Sequence, residues 1–220
     1  MSDNKNIKRE RIARRIAREF KDNSLVNLGI GMPTVVANFL PKDKTIFLHS
    51  ENGFTGLGPA AGPENPDMRI VNAGGMPVTV VPGGAFFDSA MSFAIIRGGH
   101  LDATVLGALE VDEKGNLANY KIPGKMVPGM GGAMDLVVGA REVIIAMEHV
   151  NKNGAPKILK KCSLPLTAVK VVDLIVTDMA VIRVTGKGLV LEEIAEDTTV
   201  EAVKAATGAK LHVSPDLKTF

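Results

Sequence analysis

The chain has no tryptophan, a single tyrosine and only 4% aromatic residues, so it lacks the stacking platforms on which single-stranded nucleic acid is held. It has one cysteine, Cys162, which excludes an internal disulfide and a cysteine-built metal cluster and favours a reducing, cytoplasmic setting. Neither sign of charge is in excess, with 26 basic residues against 24 acidic, so no global field points to nucleic acid, a membrane or an acidic partner. No apolar run reaches membrane-spanning length, and the amino terminus lacks the apolar core of a secretory signal. The four histidines, His49, His100, His149 and His212, have no metal-binding spacing, and no metal is expected. What is plentiful is glycine, with 23 residues, and methionine, with 10. That composition suits backbone packed against backbone. The length and 45% apolar content suit a single globular domain over residues 1–220.

Ile12, Ala13, Ile16, Ala17 and Phe20 recur at helical spacing, while Arg11, Arg14, Arg15 and Arg18 take other faces of the same amphipathic helix. Glu10 and Glu19 dilute that basic face, which reads as solvated. Leu25 to Leu28 predicts a strand, Gly29-Ile30-Gly31 a tight turn, and Pro33 the first residue of a helix to about Leu40. Further strands are predicted at Ile46 to Leu48, Arg69 to Val71, Val78 to Val81, Ala103 to Leu106, Val143 to Met147, Val171 to Thr177 and Val181 to Val184. Asp88 or Ser89 caps a helix to Arg97, and Leu109 to Val111 forms a hairpin with Leu117 to Asn119. Thr198 and Glu201 have capping-box spacing for a last helix closing at Gly208. The pattern is that of an α/β protein with an open, mostly parallel, mixed sheet flanked by helices.

Glu51 follows the apolar run Ile46-Phe47-Leu48 and precedes a turn-rich stretch with Gly53, Gly56, Gly58, Pro59, Gly62 and Pro63. Ligands of open parallel α/β sheets sit beyond the carboxyl ends of the strands, where such a carboxylate projects. Its immediate segment offers no Lys or Arg partner, and on residues alone it is either a catalytic carboxylate or one that caps a turn. Gly29-Ile30-Gly31-Met32-Pro33-Thr34 resembles the start of a dinucleotide fingerprint, but Thr34 departs from it and Pro33 removes a backbone N–H; a structural turn that lines a site is the better reading. His49-Ser50-Glu51 has the ingredients of a hydrolase triad, yet neighbours along a strand alternate in direction and cannot form a relay. Gly129 to Asp135 is rich enough in glycine to aim successive N–H groups at one oxyanion, or else to pack as a tight loop. Lys125 is either a phosphate contact or a solvated turn lysine.

Several segments together carry a more specific signal. They are Ser50-Glu51-Asn52-Gly53 with Gly56-Leu57-Gly58-Pro59, Asn72-Ala73-Gly74, Ser92-Phe93-Ala94 with Ile96-Arg97-Gly98-Gly99-His100, and Ile122-Pro123-Gly124-Lys125 through Gly131-Gly132-Ala133-Met134-Asp135. With Lys160-Lys161-Cys162 and Leu164-Pro165-Leu166-Thr167, they resemble the beta subunit of a family I coenzyme A transferase from about Ile12 to about Pro215. The bacterial enzymes acting on acetoacetate with acetate or butyrate are the most similar branch, and the animal succinyl-CoA:3-oxoacid transferases resemble the chain through their carboxyl-terminal half.

The resemblance implies that Glu51 is the nucleophile, that Gly132 supplies an amide donor to the oxyanion, and that Asn27 lies near the thioester. It also places Asn52 and Gly131 at the substrate or CoA. Coenzyme A would be a substrate, with no tightly bound cofactor. The partners implied are an alpha subunit, in a heterotetramer or larger assembly, and acyl-CoA with short carboxylates, without nucleic acid or membrane. Gly75 stands where the animal succinyl enzymes carry a lysine, which makes succinate a less favoured donor. His49 stands where relatives often carry glutamine and is assigned no role. Two other readings are a sugar-phosphate isomerase with Glu51 as general base, for which the Glu51 loop offers no cation, and a non-catalytic CoA- or nucleotide-binding regulatory module.

Overall fold

The structure is a computed structural model, and it describes residues 2–62, 64, 66–124, 127 and 129–220. Lys125 and Pro63 lie outside the described residues. In chain order the elements are α1 (Ser2–Ala17), β1 (Ser24–Leu28), a 3-10 helix (Met32–Phe39), β2 (Ile46–Ser50), β3 (Phe54–Ala60), β4 (Val78–Phe86) and α2 (Ser89–Arg97). They continue with β5 (Ala103–Leu106), β6 (Glu110–Asp112), β7 (Leu117–Ala118), α3 (Ala133–Gly139), β8 (Val143–Ala146) and β9 (Ile158–Leu159). The chain ends with β10 (Leu174–Val176), β11 (Ala180–Thr185), β12 (Gly188–Ile194), α4 (Val200–Ala205) and β13 (Leu211–Thr219).

Ten strands form one sheet in the order β13-β12-β11-β10-β8-β5-β1-β2-β3-β4. Its centre, β10 through β2, is parallel, and antiparallel pairs flank it on both sides, so the sheet is mixed as the sequence predicts. The parallel strands β5, β8 and β10 are buried along their whole length, which is why they read as unbroken apolar runs. Successive side chains still choose opposite faces. Ile145 and Ile175 join Ile96 of α2 and Leu136 of α3 on one face, whereas Ile144, Leu174 and Val176 pack with Ile12 and Ile16 of α1 on the other. A smaller sheet, β7-β6-β9, contains the hairpin predicted around Asp112 to Gly115.

The basic face of α1 is not simply solvated. Arg15 is only 8% exposed and grips Glu193 of β12 through two hydrogen bonds of 2.6 and 2.7 Å. Arg11 does the same to Asp197, and Lys8 meets the buried Asp178 at 2.7 Å. Sequence spacing within the helix shows which residues share a face, but these partners lie more than 160 positions away.

Three local expectations also change. Arg69 to Val71 is not a strand: Asp67 bonds the Arg69 N–H and guanidinium, and Asn72 Oδ1 takes the N–H groups of Gly74 and Met76, so side chains outcompete a ladder there. The glycine-rich stretch after Glu51 is largely a strand, β3, paired with β4. A Cβ at Gly56 would stand 2.7 Å from the Gly84 Cα, so the glycine lets the two backbones close up where the register shifts. The last helix is capped by Thr199, which accepts from the Ala202 N–H at 3.2 Å, rather than by Thr198.

Candidate active site

The site is built where β1 and β2 end side by side. Their parallel register sets Asn27 opposite His49, and the chain then leaves β2 through Ser50 into the three-residue turn Glu51-Asn52-Gly53 before returning as β3. Gly53 has φ of 134°, and a Cβ there would fall 2.4 Å from the Phe87 carbonyl oxygen, so the turn that projects Glu51 demands glycine. Glu51 stands at the carboxyl end of a central strand, where the sequence reading places it.

Asn27 and Gly132 converge on it. The Asn27 amide Nδ2 lies 3.5 Å from Glu51 Oε2, and the backbone N–H of Gly132, at the start of α3, also acts on the carboxylate. A side chain at position 132 would begin 3.1 Å from Glu51 Oε1, so the carboxylate would have to give by a few tenths of an ångström for anything but glycine. Burial pushes the Glu51 pKa above the ordinary carboxylate value, and the Asn27 and Gly132 hydrogen bonds oppose that rise without cancelling it. Among the described residues, no cation is one of the groups that shift it. A half-buried carboxylate held by N–H dipoles is a stronger nucleophile than a fully solvated or ion-paired one.

Glu51 opens on a cleft of about 500 Å³ lined with Ile30, Leu109, Met130, Gly131 and Gly132. The walls are mostly apolar or backbone. The turn at Gly29-Ile30 therefore does line the site, as one of the two sequence readings has it. A larger cleft of about 800 Å³, bordered by Lys114, Lys170, Lys187, Lys210 and His212, lies at the opposite end of the sheet and shares no residue with the Glu51 cleft.

Of the five residues singled out from the sequence, Glu51, Asn27 and Gly132 are brought together, and Gly131 lines the same cleft. Asn52 does not. Its Oδ1 accepts from the Ser50 hydroxyl at 2.6 Å and its Nδ2 donates to the Val71 carbonyl at 2.7 Å, so it ties the turn to the loop before β4. Ser50 also receives the Ala73 N–H, and it points away from His49 as strand alternation requires; there is no hydrolase relay.

The residue that sequence reasoning missed is Ser92. Fully buried in α2, its hydroxyl donates to the Glu51 carbonyl oxygen at 2.7 Å and lies 3.1 Å from His49 Nε2. A serine on the same buried face as Ile96, one turn along, was the available signal. Burial also drives the His49 pKa down to about 4, so its ring is neutral near pH 7. Among the described residues, no group of three or more His, Cys, Asp or Glu is placed to hold a metal ion. No described helix is long and apolar enough to cross a membrane.

Comparison with known proteins places the chain in a family. Residues 9–206 match the family model described as coenzyme A transferase. The chain is 58% identical over 211 residues to the acetate CoA-transferase subunit beta of Escherichia coli K12, covering 96% of each chain. It is 50% identical to the human mitochondrial succinyl-CoA:3-ketoacid coenzyme A transferase 2, covering 96% of this chain and 41% of that protein. Among solved structures, an acyl-CoA transferase apoenzyme from Escherichia coli O157:H7 superposes with a TM-score of 0.77 at 22% identity, over 97% of this chain and 43% of that one, which shows a common fold. With a family match over most of its length and relatives this similar, the chain belongs to the coenzyme A transferase family.

Proposed function

We propose that the chain is the catalytic beta subunit of a CoA-transferase that moves CoA between a short-chain acyl-CoA, such as acetyl- or butyryl-CoA, and acetoacetate or another short carboxylate. One observation carries the mechanism: a half-buried carboxylate, Glu51, on which no cation among the described residues acts, flanked by the N–H groups of Asn27 and Gly132. A Glu51 oxygen attacks the thioester carbonyl, the C–S bond breaks, and CoA leaves as the thiolate from an acyl-glutamyl anhydride. The thiolate then attacks the glutamyl carbonyl, releasing the free acid and leaving a glutamyl-CoA thioester. A second carboxylate runs both steps in reverse.

No proton has to move and no ATP is consumed, because each bond broken is replaced by one of similar reactivity. Each addition passes through a tetrahedral oxyanion, for which a fixed backbone N–H such as that of Gly132 costs little reorganisation. The threat is water, which would waste the activated acyl group, and an apolar cleft is the defence. Coenzyme A enters as substrate, so no bound cofactor is required. The high identity to a subunit named beta supports a separate alpha subunit as partner; a heterotetramer or larger assembly and a cytoplasmic setting belong to the same reading.

The test is trapping. The assembled enzyme is incubated with acetoacetyl-CoA in the absence of an acceptor, reduced with borohydride and digested for mass spectrometry. The modified residue should be Glu51, and label at another position would refute the mechanism. If Glu51→Gln transferred CoA as well as the unmodified enzyme, the chain would instead be a binding module in which this carboxylate caps a turn.

A further inference from the structure

We infer that His49 is a positioning residue: its neutral ring, protonated on Nε2, fixes the Asn27 amide so that an N–H faces the Glu51 carboxylate. The inference rests on the reading of Glu51 as nucleophile. It begins from a closed circuit of hydrogen bonds that leaves Glu51 through its main chain and returns to its side chain.

Ser92 has one hydroxyl proton. The 2.7 Å contact to the Glu51 carbonyl, which can only accept, takes it. A lone pair of Ser92 then faces His49 Nε2 at 3.1 Å, so Nε2 carries the ring proton. Nδ1 is left as an acceptor, 3.4 Å from Asn27 Nδ2. That amide nitrogen is surrounded by acceptors, with the His49 carbonyl at 3.3 Å and Glu51 Oε2 at 3.5 Å, while Asn27 Oδ1 receives the Thr104 hydroxyl at 3.5 Å. Asn27, His49, Ser92 and Thr104 are all buried, so solvent does not stand in for a missing partner.

The opposite tautomer works against this arrangement. A proton on Nδ1 would confront the Asn27 NH2 and oppose the orientation that the His49 carbonyl and the Thr104 hydroxyl favour. The ring therefore either reinforces or loosens the hold on the N–H that faces Glu51. Among the described residues the two N–H donors are the groups that hold the Glu51 carboxylate, and one of them is oriented in part by His49. The contacts from Asn27 are long, 3.4 Å to His49 Nδ1 and 3.5 Å to Glu51 Oε2.

The test uses the assembled enzyme and measures the single-turnover rate of glutamyl-CoA formation from acetoacetyl-CoA. His49→Leu should slow the step by about 10- to 100-fold, the range in which a misplaced reacting group falls, with little change in KM for the thioester. His49→Gln should recover most of that loss, since its amide offers a donor to Ser92 and an acceptor to Asn27. The double variant His49→Leu with Asn27→Ala should be no slower than Asn27→Ala alone, because both act through one hydrogen bond. Losses that multiply, or a His49→Gln variant as slow as His49→Leu, would overturn the assignment. Nitrogen NMR of the full chain gives a readout that needs no variant: His49 should carry its proton on Nε2, and a proton on Nδ1 refutes the circuit. A wild-type enzyme that forms no adduct refutes the transferase reading; a wild type that does, beside an equally fast His49→Leu, refutes only the role of His49.

Discussion

A Cβ placed on Gly132 would lie 3.1 Å from Oε1 of Glu51 and 3.3 Å from its carboxyl carbon. The proposed nucleophile thus rests against the backbone N–H proposed to receive the oxyanion. Gly132 itself has φ of −80°, which any residue can adopt, so Gly132→Ala tests contact and not backbone strain. The methyl group should push the carboxylate aside by a few tenths of an ångström and lower kcat/KM by up to about 10-fold, well short of the roughly 100-fold cost of a 1 Å misplacement. The thermal midpoint should move little. A variant that keeps full activity would show that Glu51 has room to retreat.

Burial raises the pKa of Glu51, so its charge is held at the expense of stability. In linkage terms, a carboxyl whose folded pKa is raised favours the fold while protonated, below its unfolded value near 4.5, and that advantage is lost as pH rises through the folded pKa. Above the folded pKa the ionised, half-buried carboxylate therefore destabilises the chain. Glu51→Gln should abolish adduct formation and raise the urea midpoint at pH 7, with the gain shrinking toward pH 4. Equal midpoints at pH 7 would mean that the carboxylate is well solvated.

His149 sets the acid limit of the opposite half of the sheet. It is fully buried between the hydroxyls of Thr177 and Thr207, each 2.9 Å from a ring nitrogen, and burial lowers its pKa to about 4. Here the folded pKa is depressed, so the stabilisation is present above the unfolded value of 6.5 and is lost as pH falls through about 4. His49 has the same sign and the same lowered pKa of about 4. A shift of this size corresponds to about 3 kcal/mol for a fully buried ring. Urea unfolding of the chain should weaken steadily from pH 6.5 to pH 4, and His149→Gln should flatten that slope. An unchanged slope in the variant would remove His149 as its source.

Much of this architecture is visible in the linear order of residues, and what is hidden has a physical reason. Fully buried parallel strands such as Val143–Ala146 announce themselves as apolar runs, and Asp88 marks the start of α2 by accepting the Met91 N–H at 2.8 Å. Glycine misled the reading of Phe54–Ala60, because residues that usually break a strand here permit close approach of its neighbour. At the site, Glu51 and the Gly132 loop are legible from their motifs. Ser92 is not, since a serine within a helix says nothing about a carbonyl 41 positions earlier until α2 is laid across β2. Asn52 shows the reverse error. It belongs to the same four-residue motif as the nucleophile, yet its amide holds the turn from behind.

The clamp between α1 and β12 offers a test of the fold that leaves the site alone. Arg15 and Glu193 have side chains only 9% and 16% exposed, and Arg15 also holds Glu19, 19% exposed, so both carboxylates depend on the one guanidinium for solvation they have lost. Arg15→Leu strands both and should cost about 3 kcal/mol, the lower end for breaking a buried pair. Adding Glu193→Leu removes one of the two orphaned charges and should return part of the stability, with Glu19 still unpaired. The comparison is made by urea unfolding of the three chains at pH 7. If the double variant is less stable than Arg15→Leu, the clamp contributes attraction beyond mutual compensation, and the packing of α1 against the sheet depends on it.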